Sequence, residues 1–231
     1  PEAVFPLLAL DPIEIELGLN LLPLTDHQNQ GDLLDRIAAL RRQLALELGL
    51  VVPLVRVQDN LSLKPDQYRI KLYGVPLASG SLRADMLLAM GPEDTDLEGI
   101  PTAEPAFGLP AVWITPERRF EAEVRGFTVV EPAAVLITHL SELVKQHAGE
   151  LLTREATHRL LEQLREEAPH LVAELVPERV TVGQLWRVLQ NLLAEGVSIR
   201  NLARIVETLG EAVQITQDPD ILTEYARQAL K

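Results

Sequence analysis

Hydrophobic and polar positions in the first third of the chain follow two periods, one typical of strands and one of helices. Residues 13–17 alternate apolar and acidic side chains, which predicts a half-buried β-strand. Asp32 precedes apolar positions spaced three and four residues apart as far as Leu48, which predicts a capped helix that ends at the following glycine. Residues 54–57 and 68–73 favour strands through their β-branched and aromatic side chains. The predicted order is strand, helix, strand, strand.

The middle of the chain predicts a small inserted α+β unit over residues 83–131. Residues 83–90, 111–114 and 127–130 each favour a strand. Pro116 fits the first turn of a short helix between the last two of them.

A further helix is predicted to begin at Pro132 and to carry along one face Val135, Leu136, His139, Leu140 and Leu143. His139 and His147 fall on this helix at a spacing that gives them no shared face. We therefore predict helix-surface positions for both histidines and no paired-imidazole site.

The pattern changes after residue 151, where strand signals disappear and capped helices follow one another. Polar residues stand where helix caps are expected, and prolines stand in first turns. The predicted helices are 154–167 after Thr153, a short one from Pro169, one from Thr181 to before Gly196, 199–209 after Ser198, and one from Asp218 and Pro219.

Together these patterns predict an α+β protein with three subdomains. Residues 1–82 and 132–151 form the first α+β subdomain, residues 83–131 form a small α+β insertion, and residues 152–231 form an all-helical subdomain.

The composition is that of a globular protein with a strong negative charge. The 231 residues are 47% hydrophobic, and no apolar run approaches the roughly 20 residues of a membrane span. A net charge of −13 disfavours nucleic acid and anionic lipid as partners. The absence of cysteine excludes disulfides and is compatible with a cytoplasmic location. Because the chain lacks an initial methionine and a signal-peptide pattern, we expect a fragment or a processed form.

Residues 101–114 form the most distinctive stretch, with two aromatic residues in a chain that is only 4% aromatic. Pro105 and Pro110 restrict the backbone on either side of Phe107, so the loop loses little entropy when it is ordered. Two interpretations of Phe107 are open, since its ring either plugs the local core or forms a recognition surface. We predict that Trp113, at the end of the stretch, belongs to the core.

Motifs for catalysis or cofactor binding are absent from the sequence. It contains no glycine-rich phosphate loop, no nucleophile elbow and no zinc-protease helix motif. The acidic residues of 93–98, Asp94 among them, lack the spacing of a calcium loop. Glu104, Thr138 and His139 resemble parts of a catalytic triad only in type. We predict no enzyme activity, no cofactor and no metal.

Ten segments resemble one family over essentially the whole chain, the cytoplasmic portion of the FlhA family of flagellar type III secretion export-gate proteins. These segments are residues 21–25 (LLPLT), 31–37 (GDLLDRI), 41–49 (RRQLALELG), 59–61 (DNL), 63–65 (LKP), 104–111 (EPAFGLPA), 126–130 (GFTVV), 138–140 (THL), 188–194 (VLQNLLA) and 197–200 (VSIR).

The resemblance implies a nonenzymatic platform that binds export chaperones with their filament-type substrates and passes the substrates to the membrane channel. It also implies contacts with other components of the export gate and of the export ATPase complex, a homo-oligomeric, nonameric ring, and a cytoplasmic location beneath the bacterial inner membrane. The family's N-terminal membrane domain and fourth subdomain are not expected in residues 1–231. Alternatives are a mainly structural, ring-building role and membership of the related injectisome branch.

The resemblance further implies a chaperone-binding dimple between the first two subdomains. Its acidic residue, Phe and Thr correspond to Glu104, Phe107 and Thr138, where Glu104 replaces the Asp of some members. Glu104 is expected at the rim, pairing with a polar or basic group. Pro105, Gly108 and Pro110 are expected to shape the loop. For the ring-building alternative, Trp186 and Tyr225 are candidate interface anchors.

Overall fold

The structure, a computed structural model, describes residues 3–93 and 95–231. Two four-stranded sheets and a series of helices form this part of the chain, which confirms the α+β class. The described residues divide into two compact units. The sheet unit comprises the chain up to Leu40 together with Pro53–Glu142, and the helical unit comprises Arg41–Val52 with Leu143–Lys231. The three predicted subdomains stay a prediction.

The first sheet belongs to the sheet unit and has the strand order β2-β1-β3-β4. Its strands are β1 (Ile13–Leu17), β2 (Val55–Asp59), β3 (Gln67–Leu72) and β4 (Val75–Ser81). Strands β1 and β2 are parallel, and the chain between them forms helix α1 (Leu33–Leu48), as a parallel pair requires a long crossover. Strand β3 pairs antiparallel with β1 and β4.

The acidic residues of β1 are more buried than their alternating pattern predicts. Glu14 and Glu16 are 9% and 5% exposed, because β1 lies between two strands whose long side chains cover its polar face. Arg69 Nε and Asn60 Nδ2 donate to the two oxygens of Glu16 at 2.8 Å, and Lys71 Nζ lies 3.8 Å from a Glu14 oxygen. Burial acts to raise the pKa of Glu16, but its bonds to Arg69 and Asn60 outweigh burial and lower that pKa.

The second sheet, also in the sheet unit, is antiparallel throughout and has the strand order β6-β7-β5-β8. Its elements are β5 (Leu87–Met90), β6 (Ile100–Ala103), β7 (Pro110–Ile114), helix α2 (Arg119–Val124) and β8 (Thr128–Val130). One hydrophobic cluster joins α2 to these strands. Its buried members are Leu87, Ala89, Ile114, Ala122, Phe127 and Val129.

Strands β4 and β6 were not predicted from the sequence. Each contains a proline, Pro76 or Pro101, and each lies at the edge of its sheet. An edge strand tolerates proline because one side of its backbone needs no ladder partner. Their residues are mostly exposed, so neither strand carries the hydrophobic alternation that sequence analysis detects.

The next helix, α3 (Pro132–Gln146), begins at the predicted proline in the sheet unit. The remaining helices are α4 (Ala148–Leu151), α5 (Arg154–Glu167), α6 (Pro169–Leu175), α7 (Val182–Ala194), α8 (Leu202–Ala212) and α9 (Pro219–Ala229). Three predicted N-caps are confirmed, since the side chains of Thr153, Thr181 and Asp218 each accept a hydrogen bond from a backbone amide in the first turn.

The predicted start of α8 at Ser198 is wrong, because Asn201 caps this helix three residues later. The backbone amide of Ile199 donates to the carbonyl of Leu48 at 2.8 Å, and the Ile199 side chain is buried in the same helical unit. This pairing holds the segment out of a helix. The hydroxyl of Ser198 accepts from the amide of Arg200 in a local turn instead.

Candidate functional site

The loop that joins β6 to β7, residues 104–109, presents an aromatic ring at the surface and is called the Phe107 loop below. Its backbone closes on itself: the amide of Glu104 donates to the carbonyl of Leu109 at 2.7 Å, and the amide of Gly108 donates to the carbonyl of Glu104 at 2.8 Å. Phe107 lies within this closed turn and is 58% exposed. The core-plug interpretation of Phe107 is therefore wrong.

Leu109 extends the apolar surface of the Phe107 loop. It is 50% exposed and lies two residues after the ring. Nothing in the sequence marks Leu109 as a surface residue, because leucine is more often a core residue. By contrast, Trp113 in β7 is 4% exposed, which confirms its predicted core position.

The predicted loop-shaping residues occupy distinct places in the turn. Gly108 has a φ of +71°, the left-handed region that favours glycine, and a Cβ built there meets nothing within 4 Å. Glycine is therefore favoured at this position by the backbone conformation and not by a lack of space for a side chain. Pro105 directly follows Glu104, and Pro110 pairs with Ala103 where β7 begins.

Glu104 is buried and does not lie at a rim. The side chain is 4% exposed, and its two carboxylate oxygens accept hydrogen bonds at 2.8 Å from the amides of Ala106 and Phe107. The side chain turns back onto its own loop because a tight turn leaves amides there without strand partners. Both oxygens are thus engaged within the loop.

Tyr68 of β3 and His139 of α3 form a buried pair whose pKa values are affected by the charge of Glu104. The Tyr68 hydroxyl lies 2.5 Å from Nδ1 of His139, and the rings meet edge to face at a centroid distance of 5.7 Å. Burial raises the pKa of Tyr68, and the negative charge of Glu104 adds to this effect. The predicted surface position of His139 is wrong: the residue is 7% exposed because this face of α3 is turned into the core.

We expect His139 to make the sheet unit sensitive to acid. Burial lowers the pKa of His139, and the charge of Glu104 opposes this only in part. Because the folded-state pKa lies below the ordinary value of 6.5, the unfolded chain binds the proton first as the pH falls. Stability should therefore decrease below pH 6.5, by at most about 1.4 kcal/mol for each pH unit, until the folded-state pKa is reached.

Urea midpoints at pH 7.5 and 5.5 measure this dependence. A His139→Gln variant keeps a polar partner for Tyr68 and removes the titrating group, so its stability should change less between the two pH values. An equal loss of stability in both proteins would contradict the prediction.

Thr138 is exposed on α3, where its hydroxyl donates to the carbonyl of Ala134 at 3.0 Å. Throughout the described residues, no hydrogen bond joins Thr138 to Glu104 or to Phe107. Because the hydroxyl is engaged with its own helix and His139 with Tyr68, the triad-like set has no nucleophile bonded to a base. The hydroxyl oxygen keeps acceptor capacity towards solvent.

The two candidate anchors of the helical unit differ in exposure. Trp186 is half-buried: its Nε1 donates to the carbonyl of Leu152 at 2.8 Å, and the guanidinium of Arg154 lies 5.1 Å from the ring centroid. Tyr225 of α9 is 37% exposed. Of the two, Tyr225 offers the more open surface.

Metal and membrane features are not found in the part of the chain that the structure describes. No group of three or more potential metal ligands is present among residues 3–93 and 95–231, and Asp94 of the acidic loop lies outside the described residues. No helix within these ranges is long and apolar enough to cross a membrane.

Sequence comparison places the whole chain within one family. The FHIPEP family model matches residues 1–231. The flagellar biosynthesis protein FlhA of Bacillus subtilis is 53% identical over 232 residues, which cover 100% of this chain and 34% of that protein. FlhA of Escherichia coli is 42% identical over 222 residues, covering 95% and 32%. The chain thus spans about one third of the length of these relatives.

Solved structures with the same fold agree with this result. The Chlamydia pneumoniae CdsV protein has a TM-score of 0.84 and 29% identity, covering 96% of this chain and 66% of that one. CdsV in complex with CdsO gives a TM-score of 0.83 at 29% identity, covering 96% and 70%. Nonameric SctV-C of EPEC shares the fold, with a TM-score of 0.71 at 23% identity, covering 96% and 66%. With its full length matched by the family model, the chain belongs to the FHIPEP family.

Proposed function

We propose that this chain is a docking platform of the flagellar type III export gate, which binds export chaperones carrying filament-type substrates and hands the substrates to the membrane channel. The observation that carries the proposal is the exposed ring of Phe107 on a closed loop. An aromatic side chain held at the surface by a hydrogen-bonded loop is suited to act as a binding anchor. Membership of the FHIPEP family supports the proposal.

The chemistry of the loop indicates what kind of partner surface it accepts. Phe107 and Leu109 offer apolar area with Gly108 between them, and the Glu104 carboxylate is withdrawn into the loop. A complementary partner therefore presents an apolar pocket or an apolar helix face to the ring. Thr138 contributes a hydroxyl oxygen that accepts a hydrogen bond from the partner.

Identity favours the flagellar branch over the injectisome branch. The chain is 53% identical to FlhA of Bacillus subtilis and 29% identical to CdsV. We place its site of action at the cytoplasmic face of the inner membrane. We also propose contacts with other export-gate and export-ATPase-complex components, by analogy with CdsV, which has been solved in complex with CdsO.

Calorimetric titration tests the docking role. The probe is a purified flagellar filament chaperone bound to its filament protein, both produced from the genome that encodes this chain. We expect saturable binding to the unmodified chain. Failure of every filament-type complex from that genome to bind would contradict the proposal.

Self-assembly into a ring is a second candidate role, favoured by the exposed aromatic side chain of Tyr225 in the helical unit. A ring of copies of this chain would arrange several docking surfaces around one channel. Sedimentation velocity over a rising concentration series, with Tyr225→Ala for comparison, tests this role. A monomer at every concentration would contradict self-assembly. Identical association of both proteins would exclude Tyr225 as an anchor of the ring interface.

A further inference from the structure

We propose that Glu104 is a positioning residue, whose carboxylate holds the Phe107 loop in its exposed shape and does not itself touch the partner. The part of this inference that concerns binding rests on the proposed docking function. The part that concerns the loop rests on geometry alone. Glu104 was expected to pair with a polar or basic group of the partner, whereas the proposed role is to clamp its own loop through hydrogen bonds to backbone amides.

The first observation is that the carboxylate has no surface to offer. Glu104 is 4% exposed, and each oxygen already accepts a backbone amide at 2.8 Å, one from Ala106 and one from Phe107. Each oxygen could accept a second hydrogen bond, but the burial of Glu104 leaves a partner group little access to either one, and each bond already made to an amide is charge-assisted. Such bonds are roughly twice as strong as neutral ones.

The second observation is that Glu104 takes part in every hydrogen bond that closes the loop. Its backbone amide and carbonyl bind the Leu109 carbonyl and the Gly108 amide, and its carboxylate binds the Ala106 and Phe107 amides. One of these two amides belongs to Phe107, the residue that carries the exposed ring. The backbone of Phe107 is therefore tied to a buried side chain while its own side chain extends outward.

The physical benefit of such a clamp is preorganisation. On a flexible loop, an exposed phenylalanine tends to pack onto nearby apolar surface. Ordering such a loop on binding costs conformational entropy. A clamped loop has already lost that entropy during folding. Removing the carboxylate should therefore weaken binding through loop disorder, even though no partner contact has been deleted.

Three substitutions separate a clamp from a contact. Glu104→Ala removes both acceptors. Glu104→Gln keeps the length but places an NH₂ group against one of the two amides, so that one bond is lost. Glu104→Asp keeps both acceptor oxygens on a shorter arm and is the rescue variant. Glu117→Gln, at an exposed glutamate of the same unit, is the control for the loss of one charge.

The experiment combines amide hydrogen exchange by NMR with titration of the chaperone–filament protein complex described above. In Glu104→Ala and Glu104→Gln we expect exchange at Ala106 or Phe107 to accelerate at least tenfold, with affinity falling at least tenfold. Glu104→Asp should restore most of both properties, and Glu117→Gln should change neither.

Two results would overturn the inference. Unchanged exchange combined with weakened binding would make Glu104 a direct contact. Accelerated exchange with unchanged binding would show that the clamp does not serve recognition. If the unmodified chain fails to bind the probe, the docking function fails, whereas the exchange rates still decide whether Glu104 holds the loop.

Discussion

Replacement of Phe107 by alanine is expected to weaken binding of the chaperone–filament protein complex by about 30-fold, or about 2 kcal/mol, the usual loss at an aromatic hot spot. Phe107 is 58% exposed, so little packing is lost when its ring is removed. The free energy of unfolding should therefore change by less than about 0.5 kcal/mol. Calorimetric titration and urea denaturation measure the two effects.

Phe120→Ala is the matched control for this prediction. Phe120 lies on α2 in the same unit and is 77% exposed, so the substitution removes an even more exposed phenylalanine side chain from outside the Phe107 loop. Its affinity should equal that of the unmodified chain. Equal affinities for all three proteins would exclude Phe107 as an anchor, and equal losses in both variants would indicate a nonspecific apolar effect.

Replacement of Phe127 by alanine is expected to have the largest effect on stability, a loss of about 3–5 kcal/mol in the free energy of unfolding. Phe127 is 7% exposed and belongs to the hydrophobic cluster between α2 and the second sheet. A Cβ built at Gly91 would lie 2.7 Å from its ring, which shows how closely the backbone packs against it. The surroundings are thus too tightly packed to collapse into the cavity at no cost.

Urea denaturation followed by far-UV circular dichroism measures this loss, with Phe107→Ala as the internal comparison. A cost below about 1 kcal/mol for Phe127→Ala would contradict the packing described for the second sheet. Together the three phenylalanine variants test one claim: the same side chain serves as anchor, bystander or core according to its position.

Helices with strong local signals were predicted closely from the sequence. Helix α5 begins after Thr153 and ends at Glu167, as predicted, and α7 begins after Thr181, which forms a capping box with Gln184. Such elements depend on side chains within one turn of the helix end, and that information is local. Strand β1 was also found at the predicted residues, although its acids are buried.

The features that local signals in the sequence did not predict depend on contacts with residues elsewhere in the chain. Strand β6 exists because β7 provides a ladder partner, and Ile199 stays out of α8 because its amide bonds to Leu48. His139 was predicted at the surface although it shares a helix face with apolar residues, because the sequence does not indicate that Tyr68 of β3 is its partner.

The candidate site shows the same division. The sequence by itself predicted a loop around Phe107 that Pro105 and Pro110 restrict, and it carried the family resemblance that singles out Glu104, Phe107 and Thr138. Only the tertiary structure decided that the Phe107 ring faces solvent while the Glu104 carboxylate is buried. Exposure depends on how the closed turn is oriented on its sheet, and that orientation is set by the pairing of β7 with both β6 and β5.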